Sequence, residues 1–213
     1  MAEHETDDEQ LRALKEWWKE NGRSVIAGVV IGIGSLVAWK GWGAYQEQQA
    51  LEASDRYNNI RSAMLAQNLD SVVIQAQELK DNYSSTPYAS WGALLLAKAK
   101  EVKGDTAAAI ENLQWVGENS KQETVKHLAT LRLARVYIST SEFAKAESLL
   151  DQPFSEAYTS LRQELLGDLY AQRGNREKAR QAYDAAIEAA DAADIEFLKM
   201  KRDNLGVSDK ANV

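Results

Sequence analysis

LGDLYAQRGNREKARQAYDAAIEA, residues 166–189, decides how the rest of the chain is read. Leu166, Gly167 and Tyr170 stand before Gly174, and Ala179, Tyr183 and Ala186 stand after it. Small residues let two helix axes approach closely, aromatic rings fill the space beside them, and a glycine at the break supplies the left-handed backbone that ends a helix. The stretch therefore predicts two helices folded back on each other around Gly174.

Two earlier segments carry the same signs. LAKAKEVKGDTAAAIENL offers Leu96, Ala97, the turn residue Gly104 and Ala109; LARVYISTSEFAKAESLL offers Leu133, Ala134, Tyr137, the turn residue Ser141 and Ala146. Ala97, Ala134 and Gly167 are 37 and 33 residues apart, each followed at +7 by Gly or Ser and at +12 by Ala. This order is that of the tetratricopeptide pattern of about 34 residues, of which the best unit lacks only the leading Trp (Gln163) and the closing Pro (Asp191). Glu47 to Ala66 and Leu69 to Lys80 form a degenerate helix pair ahead of the repeats, and Asp194 to Leu205, with Ile195, Leu198 and Leu205 on one side, is a capping helix behind them.

The punctuation supports the helices. Thr86 and Pro87 suit the N-cap and first position of a helix reaching Val102, Gly104 its C-terminal end, and Asp105 the cap of the next; further breaks fall at Ser139 to Ser141 and at Gly174 to Asn175. In arrays of helix pairs the first helices line a concave surface. In register with residues 166–189, that surface presents Trp91, Leu94, Lys98 and Glu101, then Leu128, Leu131, Arg135 and Ile138, then Leu161, Glu164 and Asp168. Such a mixed surface suits peptide or protein segments, while Leu128 and Leu161 also suit the core between repeats.

Ahead of the repeats lies SVIAGVVIGIGSLVAW, 16 uncharged residues from Ser24 to Trp39, short of the roughly 20 that cross a bilayer. The flanks extend it. Trp17 and Trp18 stand before it and Trp39, Trp42 and Tyr45 after, as aromatic belts do at two interfaces. The 21 residues from Trp18 to Trp39 make about 31 Å of helix, close to the roughly 30 Å of hydrocarbon. The span is expected at residues 24–45, with Lys40 snorkelling its ammonium to water. A cleaved signal peptide and a buried soluble helix are the competing readings; against the former, the preceding 23 residues hold seven acids and four bases, unlike a short basic leader. Arg12, Lys15, Lys19 and Arg23 outweigh Lys40 and Arg56, which puts the N-terminal arm in the cytoplasm. Ser24, Gly28 and Gly32 recur every four residues, either because glycine is common in such helices or as a helix-helix contact.

Function classes can be excluded on composition. Net charge is −7 among 25 basic and 32 acidic residues, a poor match to nucleic acid, which needs clustered Lys and Arg. Cysteine is absent, so thiolate metal sites and disulfides are not expected. His4 and His127 have no companion ligands in sequence, His127 suits a surface or packing role, and the acids Asp7 and Asp8 lie in a solvated run. Asn82-Tyr83-Ser84 is a sequon that matters only in a eukaryotic secretory pathway. Neither an enzyme nor a cofactor is expected. The reading is all-α: a single N-terminal transmembrane helix followed by a tetratricopeptide-like helical-repeat (α-solenoid) domain, divided as arm 1–23, span 24–45 and repeat domain 46–213.

EQLRALKEWWKENGRSVIAGVVIGIGSLVAWKGW (Glu9 to Trp42), the repeats after it and the ending FLKMKRDNLGV together resemble the bacterial YfgM family, the ancillary subunit of the SecYEG translocon. The resemblance implies a single-span inner-membrane protein whose repeat domain is periplasmic. It implies the SecYEG translocon and the folding factor PpiD as partners, and help in handing exported polypeptides to periplasmic chaperones. It also implies an alternative role, in which the cytosolic arm restrains a stress-response regulator; a homo-oligomeric membrane scaffold is a further alternative, suggested by the small-residue pattern.

Overall fold

The computed structural model describes the backbone of residues 2–206 and the side chains of residues 9–206; the side chains of His4, Asp7 and Asp8 and the segment 207–213 lie outside what it describes. Among the described residues every regular element is a helix: α1 (Ala2–Leu65), α2 (Leu69–Asn82), α3 (Pro87–Val102), α4 (Thr106–Asn119), α5 (Glu123–Ser139), α6 (Phe143–Leu150), a 3₁₀ turn η1 (Glu156–Tyr158), α7 (Thr159–Gln172), α8 (Arg176–Glu188) and α9 (Ile195–Asp203). It divides into two compact units, one ending at Gln49 and one beginning at Ala50.

The first unit is helix alone. The first proline of the chain is Pro87, so nothing interrupts α1 before Leu65, and the separate helix expected from Glu47 is the last part of this same element. From Ile26 to Tyr45 its large apolar side chains are at least half exposed, Trp39 at 78%. The helix is long and apolar enough to cross a membrane. Trp17 and Trp18 lie with ring centroids 6.4 Å apart at one end of the apolar run, and Trp42 and Tyr45 6.0 Å apart at the other.

In the second unit one turn is used four times. Gln67, Gly104, Ser141 and Gly174 all take positive φ, from 57° to 80°. At each, the next amide reaches back five residues: Asn68 to the Ala63 carbonyl, Asp105 to Lys100, Glu142 to Tyr137 and Asn175 to Tyr170, all at 2.8–2.9 Å. This is the C-terminal closure in which a left-handed residue turns the chain so that orphan carbonyls are satisfied. The residue donating that bond then caps the following helix. The side chains of Asn68, Asp105 and Asn175 accept from the amides of Ser71, Ala108 and Lys178 at 3.1–3.2 Å. Glu142, one methylene longer, makes no such cap.

That recurrence identifies a fourth copy which the sequence pattern hides. Seven residues before Gln67 is Ile60 and five after it Val72, both fully buried like Ala97, Ala134, Ala109, Ala146 and Ala179. Ile60 is 37 residues before Ala97. The small residues have become large aliphatics, so the spacing persists while the composition signal is lost.

The first helices of successive pairs lie side by side, α3 against α5 and α5 against α7, while each also packs on its own partner helix. Two apolar cores result, one around Ile60, Val72, Leu79 and Leu96, the other running from Leu94 and Leu131 to Leu165 and Leu169. In the α7–α8 pair Gly167 is where the Tyr183 ring rests: a Cβ there would stand 2.4 Å from its Cε1. Asn112, 4% exposed, is satisfied by its own amide donating to the Ala108 carbonyl and by Lys80 Nζ at 2.8 Å. His127 packs between Phe154 and Tyr158, its ring centroid 5.2 and 5.7 Å from theirs, with Nδ1 buried and unbonded.

Candidate binding face on the first helices

The residue after each small position points onto the shared face of the first helices: Lys98 on α3, Arg135 on α5 and Asp168 on α7. Two cavities open there. One of about 200 Å³ is lined by Leu94, Ala97, Lys98 and Glu101 of α3, Leu113 of α4, and Arg132 and Arg135 of α5. The other, about 430 Å³, is lined by Arg135, Ile138 and Ser139 of α5, Glu164, Leu165, Asp168 and Gln172 of α7, and Phe197 and Lys201 of α9. Arg135 borders both, so with Leu128 and Leu161 set aside as core positions, seven of the nine other residues expected on this surface (Leu94, Lys98, Glu101, Arg135, Ile138, Glu164 and Asp168) line these two adjoining cavities.

The remaining two do not. Leu131 is 1% exposed and lies in the core between repeats, and Trp91 packs half-buried against that core. Leu94 and Ile138 are themselves 2% and 3% exposed, so they form the floor of the cavities rather than projecting into them. The α5 residues at 131 and 138 face the neighbouring helices because the array is stacked on both sides of α5. Leu128 and Leu161 are partly buried against the same core.

The two ends of the face differ in charge state. At the C-terminal end Lys201 of α9 reaches Glu164 Oε1 at 2.7 Å and Asp168 Oδ2 at 2.8 Å, and the Tyr183 hydroxyl donates to Asp168 Oδ1 at 2.7 Å. The acids expected to be open to a partner are thus held within the chain by its capping helix. Burial first, and then the bond to the Asp168 carboxylate, raise the Tyr183 phenol well above its ordinary value. At the other end the cations are open. Among the described residues Lys98, Arg132 and Arg135 have no acidic group within 4.0 Å. Burial and the neighbouring charge of Arg135 lower the Arg132 guanidinium below its ordinary range, against smaller opposing effects of Tyr57 and Glu101.

A larger cleft, about 690 Å³, lies between the second helices and was not anticipated: Gln114 and Gly117 of α4, Thr130 and Tyr137 of α5, and Lys145, Ser148 and Leu149 of α6 are among its walls. Its apolar positions are spread over three helices with no common spacing. In the first unit Ser24, Gly28 and Gly32 are exposed, and a Cβ added at either glycine would meet nothing within 4 Å. Among the described residues no group of three or more His, Cys, Asp or Glu could hold a metal ion.

Comparison with known proteins agrees with this architecture. A family model described as a tetratricopeptide repeat-like domain matches residues 15–207. Three curated relatives are each named an ancillary SecYEG translocon subunit. The one from Escherichia coli K12 is 28% identical over 208 residues, 97% of this chain and 100% of the relative. That from Haemophilus influenzae Rd is 27% identical over 205 residues, and that from Neisseria gonorrhoeae FA 1090 is 26% identical over 212; each alignment covers 96% of this chain and 100% of the relative.

Proposed function

Since this chain belongs to the tetratricopeptide repeat-like domain family, we propose that it is a membrane-anchored adaptor of the SecYEG translocon, binding polypeptide through the first-helix face. Full-length similarity to proteins named as ancillary subunits of that translocon supports the association. In this reading residues 24–45 span the bacterial inner membrane, residues 1–23 are cytoplasmic and residues 46–213 periplasmic. Apolar side chains exposed all round a helix are stable only in an apolar medium, and the aromatic pairs at both ends suit its two interfaces. Ser24, Gly28 and Gly32 leave room for a membrane helix of a partner.

The observation that carries the binding role is the continuous surface around Arg135, where buried Leu94, Ile138 and Leu165 lie beneath exposed Lys98, Glu101 and Arg135. An apolar floor with a few polar groups suits an extended segment of an exported polypeptide, or of a periplasmic folding factor such as PpiD, passing it on to chaperones. The division of labour is testable by copurification after mild crosslinking in membranes. Lys98→Glu with Arg135→Glu should reduce recovery of periplasmic partners while the translocon is retained; replacing residues 24–39 by an unrelated apolar helix should do the reverse. Loss of both sets of partners in either variant would refute separate surfaces.

A further inference from the structure

We propose that the pocket between the turns leading into α3 and α5 is a phosphate-binding site, taking the phosphate group of a small free anion or of a lipid headgroup. The pocket shares no residue with the two cavities of the first-helix face, so its occupancy does not depend on polypeptide binding there.

A volume of about 240 Å³ opens between residues 83–86, which join α2 to α3, and residues 120–122, which join α4 to α5. The first turn and α3 contribute Ser84, Ser85 and Ser90 to its walls, and the second turn contributes Ser120, Lys121 and Gln122. Ser90 is the informative residue. It is only 5% exposed and faces the pocket, yet its hydroxyl makes no hydrogen bond among the described residues. Polar groups withdrawn from water are nearly always paired, so a hydroxyl left free at the wall of a pocket marks the place of a ligand's acceptor.

The helix ends supply the sign of that ligand. Asn68, Asp105 and Asn175 cap α2, α4 and α8 with their side chains, but α3 and α5 have no such cap. The Thr86 hydroxyl, placed to cap α3, donates instead to the Tyr83 carbonyl at 2.8 Å. Two helices of 16 and 17 residues thus begin at this pocket without a side-chain acceptor for their first amides, and such ends carry partial positive charge that draws an anion. Lys121 is the one charged residue in the walls, and it has no acidic group within 4.0 Å among the described residues. Glu123, the next acid along the chain, is engaged by Lys126 at 2.9 Å.

Shape and size narrow the class. Hydroxyls from both turns, one ammonium and two helix ends offer donors from several directions, which suits the tetrahedral oxygens of a phosphate; a flat carboxylate is better matched by a guanidinium fork. The volume falls below the roughly 300–1,000 Å³ of pockets that enclose drug-sized ligands. It therefore admits a phosphate with its glycerol rather than a nucleotide.

Amide NMR of the full chain in dodecyl maltoside micelles, at constant ionic strength, tests this with inorganic phosphate, with glycerophosphoglycerol as a soluble phospholipid headgroup, and with acetate. A phosphate probe should shift the amides of Ser90, Lys121 and Gln122 to saturation, and acetate should leave them in place. Ser90→Ala and Lys121→Gln should each weaken binding about tenfold, the scale of one hydrogen bond to a charged group, while Lys145→Gln, outside the pocket, should bind as the parent does. Ser90→Ala breaks no hydrogen bond within the described residues and alanine suits a helix, so that variant keeps its fold. Saturation by inorganic phosphate alone would assign the site to the free anion, by glycerophosphoglycerol alone to a lipid headgroup, and by both to the phosphate group whatever carries it. Equal shifts with acetate, binding unchanged in both Ser90→Ala and Lys121→Gln, or no saturable shift up to tens of millimolar would each overturn the site and leave polypeptide binding by the first-helix face untouched.

Discussion

Placing a methyl group on Gly167 tests the packing that aligns the repeat helices. The added Cβ would stand 2.4, 2.5 and 2.9 Å from Cε1, Cδ1 and Cζ of Tyr183, where ordinary contacts begin near 3.4 Å. The ring must therefore move by about 1 Å. It has little freedom to do so: Tyr183 is 3% exposed and its hydroxyl is tied to Asp168 at 2.7 Å, itself held by Lys201. Overpacking of this kind costs about 1–3 kcal/mol, offset by about 1 kcal/mol because alanine suits a helix interior better than glycine. Gly167→Ala should lose about 1 kcal/mol, a fall of roughly 2–4 °C in Tm for a chain of this size, and Gly167→Leu should lose more. Gly117→Ala is the contrast, since its Cβ meets nothing within 4 Å; it should gain up to about 1 kcal/mol. Thermal unfolding followed by circular dichroism in detergent measures both. In a Tyr183→Leu background the Gly167→Ala loss should disappear, as expected for residues in contact. A Gly167→Ala protein at least as stable as the parent in both backgrounds would refute the α7–α8 register.

Lys201→Met leaves Glu164 and Asp168, both under a quarter exposed at their side chains, without their cation; a loss of about 1–3 kcal/mol and faster amide exchange in α9 should follow, and unchanged exchange would show that the capping helix is held otherwise. Burial and Asp168 raise the folded-state pKa of Tyr183 above its ordinary 10.0, so its contribution is complete below pH 10 and falls above it, by at most about 1.4 kcal/mol per pH unit; urea unfolding between neutral and alkaline pH should show this slope and lose it in Tyr183→Phe. Protease added to spheroplasts should digest the repeat domain and spare a tag on residues 1–23, whereas release of an N-terminally trimmed soluble domain would support a cleaved signal peptide.

Much of the fold is visible in the sequence because its constraints are local. A left-handed turn favours Gly, as at Gly104 and Gly174, and close helix approach favours Ala or Gly, as at Ala97, Ala134 and Gly167. Where larger residues meet the same demands the pattern disappears, as with Ile60, Gln67 and Val72. Register alone placed Lys98, Glu101 and Arg135 on one surface. It could not separate Leu131 from them, because burial depends on helices stacked on both sides of α5. Nor did it show that Lys201, 33 residues beyond Asp168, occupies the acidic end; a lone lysine on a capping helix resembles any solvated one. Arg132 was legible in principle, as the basic residue three before Arg135 on the face where Lys98 occupies the equivalent place one repeat earlier.

Site-specific photocrosslinking in membranes carrying a stalled exported chain tests the adaptor reading most directly, with one photoreactive residue at Lys98, a second at Ile26 in the span and a third at Ser148 in the cleft between the second helices. Position 26 should capture translocon subunits and position 98 the exported chain or a periplasmic folding factor, with position 148 silent. Capture of the exported chain from position 148 and none from position 98 would rule out the first-helix face as the binding surface.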